Sequence, residues 1–147
     1  MDIIMHTHST IRHFRKAALC TMLALGASAA TSASAQQGVP AYTVNYVSTV
    51  KAIYIQNINN PNGWACVPVT APTVHRNRHG TTTDGGFGTA PGLLYGSTYS
   101  ANAFSTPNCS NGTSVAGIYA RGYTVNNTNE VYFTIENNTI IIDEYPH

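Results

Sequence analysis

From Glu130 to Tyr145 apolar and polar side chains alternate on either side of the pair Asn137-Asn138. Alternation of this kind suits a strand, whose successive side chains point to opposite faces, and paired asparagines suit a turn, so a two-residue hairpin is expected. In that register Glu136 faces Thr139, Ile135 faces Ile140, Phe133 faces Ile142 and Val131 faces Glu144. Val131, Phe133, Ile135, Ile140 and Ile142 then share one face, which should be core, while Tyr132, Thr134, Glu136, Thr139, Ile141 and Asp143 share the other. The two asparagines are expected to take the positive φ of a type I′ turn.

The same period recurs upstream. Tyr42, Val44 and Tyr46 alternate with Thr43, Asn45 and Val47, and a second apolar run covers Val50 to Ile58. Asn59-Asn60-Pro61-Asn62-Gly63 is a turn signal, after which Trp64 to Val69 reads as the returning strand, with Trp64, Cys66 and Pro68 on one face and Trp64 packing in the core. Val115 to Val125 supplies another strand, and no segment carries a helical period. Between Pro72 and Pro107, Gly80, Gly85, Gly86, Gly88, Gly92 and Gly96 interrupt a polar stretch that reads as long loops with short strands near Leu93 to Tyr99. The expected fold is all-β, a small antiparallel β-sandwich or open barrel with long Gly-rich loops and one disulfide.

The first residues have a different character. Arg12, His13, Arg15 and Lys16 precede an Ala/Leu-rich run from Ala17 to Ala30, and Ala33-Ser34-Ala35 precedes Gln36, the three-part order of a cleavable export signal over residues 1–35. The working protein is then a single β-rich domain, 36–147, secreted or periplasmic, and of bacterial style. The apolar run is too short for a membrane anchor, since a span needs about 20 apolar residues.

Cleavage at that point removes Cys20 and leaves Cys66 and Cys109, an even count in an exported chain, so the two are expected to pair. It also removes much of the positive charge. What remains is Lys51, Arg76, Arg78 and Arg121 against Asp84, Glu130, Glu136, Asp143 and Glu144. So few cations argue against nucleic acid as a main ligand and against a polybasic membrane contact.

His75-Arg76-Asn77-Arg78-His79 is the least ordinary run, holding two of the three histidines of 36–147 and half of its cations. Two guanidiniums suit bidentate contact with a carboxylate or phosphate, and Asp84 completes a candidate set. The H-x-x-x-H spacing would form a metal pair on a helix, but Pro72 and Gly80 frame this run as non-helical, so no metal is expected. No cofactor motif or nucleophile elbow is present. All nine tyrosines and the single tryptophan lie within 36–147. Such rings offer an apolar face and a hydrogen-bonding edge, and Tyr95 and Tyr99 stand beside the Gly-rich stretch.

The expected function is an exported, non-catalytic binding domain that engages a glycan or protein partner through Gly-rich loops and exposed tyrosines, with His75, Arg76, Arg78, His79, Asp84, Tyr95 and Tyr99 as binding residues. The alternatives are a small ribonuclease-like hydrolase working through His and Arg, or a structural subunit of a surface fibre whose last strand pairs with another chain.

Overall fold

A computed structural model of the chain describes residues 37–127 and 129–145. Residues 1–35, read from the sequence as an export signal and including Cys20, lie outside the described residues. Ten strands follow in order: Gly38–Asn45 (β1), Ala52–Asn57 (β2), Trp64–Pro68 (β3), Thr73–Asn77 (β4), Gly80–Asp84 (β5), Gly86–Leu94 (β6), Thr98–Phe104 (β7), Ser114–Thr124 (β8), Glu130–Glu136 (β9) and Thr139–Tyr145 (β10). They form a four-stranded sheet in the order β10-β9-β1-β6, a second in the order β3-β2-β7-β8, and a separate ribbon of β4 and β5. No helix among the described residues is long and apolar enough to cross a membrane.

The β9–β10 hairpin has the expected register, from Glu136 opposite Thr139 to Val131 opposite Glu144. Val131, Phe133, Ile135, Ile140 and Ile142 are all buried, as the alternation requires. The turn differs, because neither Asn137 nor Asn138 has positive φ and the type I′ geometry is absent. Burial of Ile135 against Ile140 holds the register there, since a slip of one residue would turn the whole apolar set to solvent.

Phe133, Ile53 and Ile135 are the largest fully buried side chains, and Ala101 and Ala103 of β7 complete the contact between the sheets. The sheets pair antiparallel except where β1 enters parallel to β9, Tyr42 beside Tyr132 and Val44 beside Thr134. β1 turns Val39, Ala41, Thr43 and Asn45 inward, and the ring of Tyr42 faces out. Asn45 is satisfied there. Its Nδ2 donates to the carbonyls of Val50 and Thr70 at 3.3 and 3.1 Å, and its Oδ1 accepts from Val47 N at 2.9 Å.

The stretch from 72 to 107 is more regular than its glycines imply, with four strands where long loops were expected. Its glycines mark close approach as well as turns. A Cβ on Gly86 would lie 2.3 Å from Thr70 O, and one on Gly88 would lie 2.9 Å from Thr43 Oγ1. Gly96, at φ +76°, reverses the chain between β6 and β7 in a conformation that other residues adopt only with strain. Cys66 and Cys109 are disulfide-bonded, tying edge strand β3 to the connection after β7.

Candidate functional site

Five of the expected binding residues fall on the ribbon. His75 and Arg76 lie on β4, Arg78 and His79 form its turn, and Asp84 ends β5. The register pairs His75 with Thr82 and Thr73 with Asp84, so His75 and Asp84 are diagonal neighbours on one face, and His75 Nε2 meets Asp84 Oδ2 at 3.0 Å. Val74, Arg76, Thr81 and Thr83 make up the other face. At the tip, His79 N donates to Asn77 Oδ1 at 2.9 Å. Every strand residue of the ribbon is exposed. Tyr95 is exposed in the β6–β7 turn, apart from the ribbon residues in the sequence. Tyr99 is 5% exposed, so it is not the surface ring that the sequence led us to expect.

Tyr99 instead forms part of the wall of a cleft. Where edge strands β3 and β6 of the two sheets flank the open side of the sandwich, a cavity of about 300 Å³ is lined by Ile55, Ala65, Leu93, Leu94 and Tyr99, with Asn57, Asn60 and Trp64 and the glycines Gly63 and Gly92. That volume lies at the lower end of ordinary ligand sites. The Tyr99 hydroxyl accepts from Leu94 N at 2.8 Å and from Asn57 Nδ2 at 3.5 Å, and Asn57 Oδ1 accepts from Asn59 N and Asn60 N at 2.9 and 3.2 Å. These bonds hold the wall and the 59–63 turn in place. Among the described residues, no charged side chain lines this cavity.

Trp64 is the residue that the sequence reading misplaced. It was expected in the core, yet it is 60% exposed at the margin of the cleft, with its ring on the outer face of the sheet, stacked on Tyr54 at 5.7 Å and 22°. The alternation does place Trp64, Cys66 and Pro68 on one face. Val67, on the opposite face, is the buried residue of β3, and that aliphatic side chain was the signal for which face is inside.

A second aromatic group crosses the outer face of the other sheet, one ring per strand: Phe87 on β6, Tyr42 on β1, Tyr132 on β9 and Tyr145 on β10. Neighbouring centroids are 5.4, 5.2 and 5.3 Å apart; the first two pairs are stacked and the last is edge-on. The Tyr132 and Tyr42 hydroxyls donate to the two oxygens of Glu130 at 2.8 and 3.3 Å. The carboxylate charge, with some burial and the hydrogen bond itself, raises the Tyr42 pKa; the hydrogen bond, then burial and the charge, raises that of Tyr132. Rings packed face to face on adjacent strands brace the sheet and turn their edges outward, which suits them poorly to stacking on a flat ligand.

Where β8 meets β10, Glu144 Oε1 accepts from Asn126 N at 2.8 Å. Burial alone would raise the Glu144 pKa, but bonds from Asn126, Tyr123 and Asn127 outweigh it and the net shift is downward. Burial, with the Glu144 bond and the nearby carboxylate charges, pushes the Tyr123 hydroxyl upward. A carboxyl whose folded pKa is depressed stabilises the fold fully above its unfolded value, here 4.5, and that contribution is lost as the pH falls through the folded value. Glu144→Gln is therefore expected to cost less than about 1 kcal/mol at neutral pH and nothing once the carboxyl is protonated, as read from thermal melts across the acid range. An equal cost at both ends would dismiss the ionic latch.

No known protein-family model matches the chain, and no characterised protein or solved structure matches it either.

Proposed function

We propose that the protein is an exported, non-catalytic binding domain that takes a neutral glycan in the β3–β6 cleft, with a sugar ring against Trp64. The observation that carries this reading is an indole 60% exposed on the outer, Tyr54 face of edge strand β3, at the margin of a cavity that no charged side chain among the described residues lines. A sugar ring presents an apolar C–H face to an aromatic ring and hydroxyls to amide side chains, here Asn57 and Asn60. Export rests on residues 1–35, and the Cys66–Cys109 bridge is compatible with an oxidising compartment.

The hydrolase alternative is less well supported, because His75 and His79 sit on an exposed ribbon and neither lines the cleft. The fibre-subunit alternative rests on β10, an edge strand of its sheet; β8 of the other sheet lies near its outer side, which leaves less room for a further chain there.

Binding is best tested with a panel of neutral oligosaccharides by calorimetry or on an array. Trp64→Ala should weaken the best ligand by about 2 kcal/mol, roughly thirtyfold, which is typical of a buried aromatic anchor. Because Trp64 is largely exposed, the melting temperature should barely move. Failure of every neutral glycan to bind, or unchanged affinity in the variant, would refute the assignment.

A further inference from the structure

The β4–β5 ribbon contributes nothing to the core: all ten of its strand residues are exposed. A lone two-stranded ribbon is marginal in water, so its residues are not chosen for packing. Its root, by contrast, is held firmly. Gly86 lies so close to the carbonyls of Thr70 and Ala71 that a Cβ would fall 2.3 and 2.6 Å from them, and the buried Asn45 donates to Thr70 O at 3.1 Å. The ribbon is thus a projecting arm on a fixed base.

Charge is segregated onto it. The arm carries Arg76 and Arg78 against the single carboxylate of Asp84, which is engaged by His75. Elsewhere in 36–147, Lys51 and Arg121 face the four carboxylates of Glu130, Glu136, Asp143 and Glu144. An arm rich in cations on an otherwise acidic domain complements an anion.

We infer that this arm binds a uronate-bearing polysaccharide. The two guanidiniums match carboxylates bidentately, while Thr81 and Thr83, on the same face as Arg76, offer neutral hydrogen bonds to sugar hydroxyls. Two five-residue strands extend about 14 Å, enough to follow several sugar units. Nucleic acid fits less well, since its dense phosphates are met by many more cations than two. A membrane surface fits less well too, because the tip is Arg78-His79 and not an apolar wedge.

The inference is independent of the Trp64 cleft, and one experiment separates the two. Retention of the purified chain on immobilised alginate is measured at low and raised salt, with neutral dextran, duplex DNA and phosphatidylglycerol vesicles as comparisons. Alginate should retain the chain, and salt should release it. Arg76→Ala with Arg78→Ala should reduce retention by about tenfold with no change in melting temperature, charge reversal to Glu at both positions should abolish it, and Trp64→Ala should leave it unchanged. No retention on alginate, equal retention by the arginine variants, or equal binding to DNA or vesicles would overturn the assignment.

Discussion

Replacing both Cys66 and Cys109 with Ser should lower stability by about 4 kcal/mol, on the chain-entropy treatment of a cross-link of this span. For a domain of this size that corresponds to a fall of about 15 °C or more in melting temperature. The bridge spans a sequence separation of 43 and encloses β4 to β7, so without it the unfolded chain regains the freedom of that whole stretch. The folded state is also weakened locally. Among the described residues β3 pairs only with β2, and Cys66 is the covalent anchor of that edge, two residues from Trp64. Amide exchange in β3 should therefore accelerate more than in β9, and the glycan binding proposed at the cleft should weaken with it. Reduction of the unmodified protein should reproduce the effect, and a melting temperature shifted by less than about 2 °C would show that the bridge contributes little.

Gly86→Ala is the second large effect expected, about 3 kcal/mol of destabilisation. The added methyl would meet the carbonyls of Thr70 and Ala71, which are backbone atoms and cannot turn aside as a flexible side chain would. Relief requires the 70–71 segment to move from β6, which would break the bond from Asn45 Nδ2 to Thr70 O and leave part of a buried amide unsatisfied. Gly80→Ala is the contrasting control. Gly80 has open space around its Cβ position but a φ of +139°, so its cost is conformational and confined to the exposed ribbon. Urea denaturation of both variants should separate them, Gly86→Ala losing stability throughout the domain. Equal, small losses would mean that the root of the arm yields easily.

These glycines show where reading the chain alone falls short. Gly80 and Gly96 serve turns, as a glycine suggests, but Gly86 and Gly88 lie within β6, where they admit a neighbouring strand's or segment's atoms. Composition does not distinguish the two uses, because the partner that demands the missing side chain comes from a distant part of the sequence. Likewise, alternation in β1 separates Tyr42 and Val44 from Thr43 and Asn45 without saying which set is inside. Pairing with β9 and the bonds of Asn45 decide it, burying Thr43 and Asn45 and sending Tyr42 to the outer aromatic row.

The candidate sites divide in the same way. The cationic cluster was legible because its residues are adjacent in sequence, and the ribbon keeps them together. The cleft was not, because it combines Trp64 from β3, Asn57 from β2, Leu93 from β6 and Tyr99 from β7. Local periodicity and the cysteine count by themselves determined the all-β class, the β9–β10 register and the disulfide, since each depends on neighbouring residues or on the two cysteines of 36–147. Only the tertiary structure decided that Trp64 faces solvent and Tyr99 the interior. Which face of a strand is buried depends on the second sheet laid against it, and that contact is made between residues far apart in the chain.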